Sequence, residues 1–250
     1  MRGPRRRRLL ELPTNICLYP SIHKRLVFRT CGKLSDMRFD VFETAYGALY
    51  DVGVQSRLAP LGGLLMWGAD VERFLKAMAD GVACRRGQVV VDCPTGGGVT
   101  FARGLPRTRG RLVGVDLSRL MLARAQGRAA RLPPAQRGHL ELVRGDATRL
   151  PVADDVADRV LCFNSLHCIP RHRAVLREFH RVLKPGGELV GTTLTADAPL
   201  PWLLNVRAAR WSGFFVPPES GRLRADARAA GFERWETERT GALLFFRGLV

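Results

Sequence analysis

No run in this 250-residue chain approaches eighteen consecutive apolar residues, so nothing in it is a candidate for a membrane-spanning helix. There is no Cys-x-x-Cys pair either. The six cysteines, at positions 17, 31, 84, 93, 162 and 168, are too sparse for a disulfide framework and lack the spacing of a zinc site or a thioredoxin-like redox pair. They fit reduced thiols in a cytoplasmic enzyme. Lysine is scarce: four of the 40 basic residues, the rest being arginine. A bias that strong arises from coding composition as readily as from phosphate recognition, so a polyanion partner is an open alternative and not the first expectation. Core material is not lacking. Hydrophobic residues make up 46% and charged residues 25%, which excludes a chain that is disordered throughout. The length suits one large domain, or one domain with a small appendage.

The net charge of +17 is unevenly spread. Residues 1–36 hold nine Lys/Arg against two acids, with Arg5 to Arg8 in a row. Glu11 and Pro13 interrupt the apolar run that a signal peptide would need after such a cluster. We expect residues 1–36 to be a basic extension, disordered or outside the working protein, with translation from Met37 or a nucleic-acid-binding arm as alternatives. Residues 37–84 read as an N-terminal helical lid. Phe39, Phe42, Tyr46, Leu49 and Tyr50 fall near one helical face. A second helix follows Asp70, an N-cap residue type, with Val71, Phe74, Leu75 and Met78 at i, i+3, i+4 and i+7. Between the two lies a Gly/Leu-rich stretch, Leu58 to Trp67.

Residues 85–250 alternate strand and helix. Continuously apolar strands are expected at 88–92, 111–116, 140–144, 159–163 and 188–194. Helices are expected at 118–131, 171–183 and 220–230. Lys184-Pro185-Gly186-Gly187 stops the second of these. Two final strands, near 232–239 and 242–249, flank a short turn at Thr240-Gly241 and read as an antiparallel pair. This pattern predicts a doubly wound α/β fold around a mostly parallel sheet covered on both faces. Ligands bind such sheets beyond the carboxyl ends of the strands.

The residues that follow each strand carry the chemistry. After the first strand comes Asp92-Cys93-Pro94-Thr95-Gly96-Gly97-Gly98, a loop whose glycines let backbone approach a ligand. Read as G-x-G-x-x-G its last position is Phe101, a weak dinucleotide match. Asp92 would repel a pyrophosphate and would suit an ammonium with a sulfonium nearby. Asp116, ending the second strand before Leu117 and Ser118, can accept both hydroxyls of a ribose, as it would in a nicotinamide enzyme too. Asp146, after the third strand, can accept from an adenine amino group while the Ala147 N–H donates to a ring nitrogen. Each acid alone has a plain reading as a turn former. Three in succession beside a Gly-rich loop point to one adenosine-containing ligand.

On Asp92 to Gly98, Gly114 to Ser118 with Met121, Gly145-Asp146-Ala147, Asp158 to His167 and Leu183 to Gly187, the chain from about 88 to 194 resembles class I S-adenosylmethionine-dependent methyltransferases of the small-molecule branch, which includes the quinone-ring methylases. The resemblance implies a seven-stranded sheet of order 3-2-1-4-5-7-6, the last strand antiparallel. It implies S-adenosyl-L-methionine as cofactor, with Asp92 near the methionine end and Asp116 on the ribose. Met121, Asp146 and Ala147 would lie around the adenine, Leu117 would also contact the cofactor, and Asn164 and Ser165 would lie near the transferable methyl. The loop departs from the family pattern at Pro94, which removes an N–H donor, and in having three glycines in a row.

Methyl transfer from a sulfonium is an in-line displacement, in which placement of the nucleophile supplies much of the rate. A phenol or hydroxyl acceptor also needs a proton acceptor. His167 is the best-placed candidate, although a lone loop histidine is more often structural. His172 and His180 are expected to face solvent, and no carboxylate spacing supports a metal site. A Pro-Pro-aromatic tetrapeptide, a Pro-Cys nucleophile and a double-glutamate loop are all missing. Their absence excludes amino-directed DNA, cytosine-5 and protein-arginine methylases. Nucleic acid is therefore not the expected partner; a small, apolar or aromatic acceptor is. The N-terminal helices and the linker 196–218 are the expected lid, with Tyr46, Tyr50, Trp202 and Trp211 as candidate acceptor contacts, unless the linker aromatics simply pack on the core. Eleven arginines between 103 and 149 read as a solvated face, with RNA contact as the alternative. A nicotinamide oxidoreductase and a cofactor-binding protein without turnover are the competing functional classes.

Overall fold

A computed structural model describes residues 58–105, 108–211, 213 and 215–250. The expectations for residues 1–36, for the helix around Phe39 to Tyr50 and for Phe214 in the linker lie outside these residues. Seven strands, β1 (Val89–Asp92), β2 (Arg111–Asp116), β3 (Leu140–Arg144), β4 (Ala157–Phe163), β5 (Leu183–Leu194), β6 (Arg234–Thr240) and β7 (Leu243–Leu249), form one sheet. Its order is 3-2-1-4-5-7-6, and β7 alone runs antiparallel to its neighbours β5 and β6. This is the predicted topology. Successive side chains of β1 enter opposite faces, Val90 into one core and Val91 into the other.

Helices cover both faces. On one side lie α1 (Ala59–Trp67), α2 (Val71–Val82), α3 (Val99–Gly104) and α4 (Arg119–Ala130), followed by the single turn α5 (Pro134–Arg137). Phe74, Met78, Phe101, Leu105 and Leu122 build the core there. On the other side α6 (His172–Val182) packs beside α8 (Ser220–Ala230), burying Val175, Leu176, Phe179 and Leu223. The seventh helix, α7 (Trp202–Arg210), lies in the 196–218 linker. The caps follow the sequence: Asp70 accepts from the Arg73 N–H at 2.9 Å, and the Ser118 hydroxyl from the Met121 N–H at 3.2 Å.

Two local expectations are corrected, and the Gly/Leu-rich stretch 58–67 is found to be helical. It is α1, begun by Pro60 in its first turn and ended by Gly68 in the left-handed region. Lys184-Pro185-Gly186-Gly187 does not separate α6 from a strand that starts at 188. The β5 pairing begins at Leu183 opposite Ala157 and resumes at Glu188 opposite Arg159, so the motif is a bulge within the strand. It stands at the amino edge of the sheet, where Lys184 bonds Asp158 at 2.7 Å. His172 and His180 are only partly exposed. His172 bonds the Leu166 carbonyl at 3.0 Å, and His180 meets Phe232 edge-on at 5.4 Å. Among the described residues, no helix is long and apolar enough to cross a membrane.

Phe179 is fully buried between α6 and the sheet. Phe179→Ala should cost about 3–5 kcal/mol in urea unfolding with an unchanged denaturant slope. A loss below about 1 kcal/mol would show that this face is not the packed core described.

Candidate functional site

The carboxyl ends of β1, β2, β3 and β4 converge at one edge of the sheet, where the connections divide on either side of β1. Asp92 closes β1 and is only 1% exposed. The Thr95 hydroxyl donates to its Oδ2 at 2.8 Å, while its Oδ1 is buried without a hydrogen-bond partner. Burial pushes this carboxyl up to about 7; the hydrogen bond from Thr95 pulls the other way, and the nearby Asp116 adds to the rise.

Asp116 closes β2 two residues beyond Gly114, the residue that Asp92 faces across the strands. Its Oδ2 accepts from the Gly96 N–H at 2.8 Å and its Oδ1 from the Ser118 N–H at 2.9 Å. The first bond ties the Gly-rich loop to the end of the neighbouring strand. The Thr95 N–H reinforces it by donating to the Val115 carbonyl at 2.9 Å. Pro94, at a cis peptide after Cys93, contributes no donor. Gly98 sits in the left-handed region at φ 83°, and a Cβ there would overlap the Phe101 ring. Phe101 is itself fully buried. The residue that spoils the dinucleotide pattern thus fills the space beneath the loop.

Sequence reasoning missed Arg128 of α4, whose guanidinium bonds the Gly97 carbonyl. Its spacing from Met121, seven residues on, puts both on one helical face and was the available signal. Arg144 likewise reaches the Leu117 carbonyl at 3.0 Å, and Arg111 pairs with Glu141 at 2.5 Å. These members of the arginine cluster are tied into the fold and do not belong to a purely solvated face.

Asp146 follows β3 and forms a turn. Its Oδ1 accepts from both the Thr148 N–H and the Thr148 hydroxyl at 2.8 Å, and Arg171 stands 3.9 Å from its Oδ2. Ala147 is buried beside it. Asn164 follows β4 with φ 52°, held by its N–H on the Thr192 carbonyl at 2.8 Å. The Ser165 hydroxyl turns back to the Phe163 carbonyl at 2.8 Å.

His167 lies in a 3-10 turn, Leu166–Cys168, and is 1% exposed. The Leu194 N–H donates to its Nδ1 at 3.3 Å, the Thr193 hydroxyl is 3.3 Å from the same nitrogen, and its ring stacks on Phe215 with centroids 5.2 Å apart. Burial, with a smaller push from His172, lowers its pKa to about 3. The ring is neutral at ordinary pH. Its carbonyl accepts from the Val216 N–H at 2.7 Å, which fastens the linker over the β4 loop.

The structure therefore brings Asp92, Thr95, Gly96, Asp116 and Ser118 into one bonded cluster, with Asp146, Ala147, Asn164 and Ser165 on the flanking loops of the same edge. Leu117 and Met121 border it at the start of α4. The aromatics of the linker stand apart. Trp202 is half-buried where α7 meets Gly68, and Trp211 is 92% exposed. Tyr46 and Tyr50 lie outside the described residues.

A family described as a methyltransferase domain matches residues 91–191. A ubiquinone/menaquinone biosynthesis C-methyltransferase of Paracoccus denitrificans is 36% identical over 180 residues, spanning 70% of this chain and 68% of that protein. A demethylmenaquinone methyltransferase of Oceanobacillus iheyensis is 33% identical over 143 residues, spanning 56% of this chain and 57% of the relative, little more than half of its length. Among solved structures, an S-adenosylmethionine-dependent methyltransferase of Thermotoga maritima shares the fold with a TM-score of 0.59 at 20% identity, over 83% of this chain and 95% of that one.

The raised Asp92 carboxyl has a consequence for stability. A folded-state value near 7 against 3.8 means that the folded protein holds this proton more tightly than the unfolded chain. Stability from this group is therefore full below about pH 4 and is lost as pH rises toward about 7. Asp92→Asn removes the effect, so its stability gain over the parent should be about 2 kcal/mol larger at pH 8 than at pH 5 in paired urea titrations. Equal gains at both values would show that Asp92 is ionised normally.

Proposed function

This chain belongs to the class I S-adenosylmethionine-dependent methyltransferases of small molecules, and from that membership we propose that it methylates a ring carbon of an apolar, quinone-type acceptor. The observation that carries the cofactor assignment is the buried Asp92 oxygen without a partner. A carboxylate desolvated in this way is stabilised by a cation and destabilised by a pyrophosphate. The residues thus fit a ligand with an ammonium and a sulfonium. Asp92 and the Gly96–Gly98 backbone would hold its methionine end. Asp116 would take the ribose hydroxyls, with Met121, Asp146 and Ala147 around the adenine and Leu117 also in contact with the cofactor. When bound, the cofactor supplies an activated methyl group on sulfur.

The chain's own work is then placement and exclusion of water. Asn164 and Ser165 shape the edge beside the Gly-rich loop. His167, neutral and with Nδ1 already engaged, is assigned a positioning role: it braces the β4 loop against Leu194 and Phe215. The names of the two bacterial relatives support a quinone-type acceptor and C-methylation. The apolar helix α1 and the exposed Leu200 and Leu204 at α7, at the same end of the sheet, support an acceptor with a large apolar portion. In this reading the acceptor ring would be reduced, its hydroxyl raising the electron density at the ring carbon that acts as nucleophile, and the ring hydrogen replaced on C-methylation would leave as a proton.

The test uses methyl-labelled S-adenosylmethionine with a prenylated naphthohydroquinone unsubstituted at the reacting carbon, followed by mass spectrometry of both products. The expected result is one labelled methyl on carbon with matching S-adenosylhomocysteine, lost in Asp92→Ala. S-adenosylmethionine binding without label transfer would favour the reading of a cofactor-binding protein without turnover. Label on oxygen would overturn the C-methylation assignment alone. Trp202→Ala should raise the acceptor KM and leave cofactor affinity unchanged; an equal loss of both would leave Trp202 only its packing on Gly68.

A further inference from the structure

Every exposed large hydrophobic side chain among the described residues lies in or beside just two helices. Leu58, Leu61, Leu64, Leu65 and Met66 belong to α1 and its cap; Leu200, Leu204 and Trp211 flank or lie in α7. Helix α1 carries no charge and no polar side chain over its nine residues, yet Ala59 is the one residue in it that is buried. A helix that is apolar all round is ordinarily an interior one. Here it stands at the surface, held from behind. Asn205 of α7 bonds the Met66 carbonyl at 2.6 Å, the Ala242 N–H donates to the Trp67 carbonyl at 2.7 Å, and Trp202 packs on Gly68. The two helices are thus fixed against each other, and eight exposed large apolar side chains cluster on and beside them.

The charge within the two helices has one sign, although Asp70 and Glu72 follow α1 closely and Asp197 precedes α7. Neither α1 nor α7 contains an acid, and the charged residues of α7 are Arg207 and Arg210, both in its last turn and both exposed. Leu204 and Trp211 lie seven residues apart with Arg207 between them on the exposed side. An apolar face bordered by arginine, with a tryptophan at its margin, suits the boundary between lipid headgroups and acyl chains. The excess of +17 over the chain acts in the same direction. We propose that the α1–α7 face docks the protein on an anionic lipid surface. The face adjoins the carboxyl edge of the sheet through β7, whose first residue Leu243 pairs with Leu194 at the end of β5. Docking there would present the site to apolar molecules that reside in the lipid. The docking itself does not depend on the methyl-transfer reading and is measured without cofactor or acceptor.

The experiment is co-sedimentation of the full chain with phosphatidylcholine vesicles, with and without phosphatidylglycerol. Binding to the anionic vesicles is expected, weakened by salt. Leu61→Asp with Leu65→Asp should reduce it about tenfold or more, and Arg207→Gln with Arg210→Gln about tenfold, the latter on anionic vesicles only. Circular dichroism and thermal melting confirm that each variant folds. Three results would each overturn the proposal. Undiminished binding of the Leu61/Leu65 variant would place the lipid contact elsewhere, such as the basic residues 1–36. A dimer in sedimentation velocity that the same variant dissociates would make a second copy the occupant. Absence of sedimentation with either vesicle would mean that no lipid surface covers this face.

Discussion

Two carboxylates buried at the ends of adjacent parallel strands lose water and repel each other, and the rest of the carboxyl edge is arranged around that cost. Asp116 is compensated by two backbone N–H groups, one of them from the Gly-rich loop. Asp92 is compensated on one oxygen only. The asymmetry fixes the loop: Gly96 must present its N–H to Asp116, Gly98 must turn left-handed, and Phe101 fills the volume below. Arg128 then closes the outer side through the Gly97 carbonyl. An edge built this way is complete for a neutral partner at Asp116 and incomplete for a cation at Asp92, which is the distribution a sulfonium cofactor would complete.

The opposite edge of the sheet is built differently. Asp158, Lys184, Arg159, Glu188 and Arg247 pair with one another around the Lys-Pro-Gly-Gly bulge. Their charges are spent on one another, so that motif stabilises the strand ends and stands far from the chemistry. Functional and structural parts of the same sequence resemblance thus separate onto two edges of one sheet, as parallel α/β folds generally arrange them.

The strands were readable because buried parallel strands are continuously apolar and two of them end in a single acid. Val89–Asp92, Arg111–Asp116 and Leu140–Arg144 match their expected limits within a residue, and Ser220–Ala230 matches in full. What escaped depends on tertiary placement. The surface position of α1 contradicts its composition, so no periodicity announced it. His167 sits in a polar-looking loop, yet the linker folds Phe215 onto it and removes it from solvent. His172 and His180 stand on a helix whose exposed side is partly covered by its neighbours. Arg128 looked like one more member of an arginine-rich surface until its reach to Gly97 could be seen. In each case a local pattern gave the residue type but not the element that would later pack against it.

The most direct measurement is calorimetric titration of the purified chain with S-adenosylmethionine, S-adenosylhomocysteine and NAD, with Asp116→Ala as control. Saturable binding of the first two, weakened by about tenfold or more in the variant, is the predicted result. Binding of NAD alone would contradict the account, because a site completed by a cation at Asp92 has no place for a pyrophosphate.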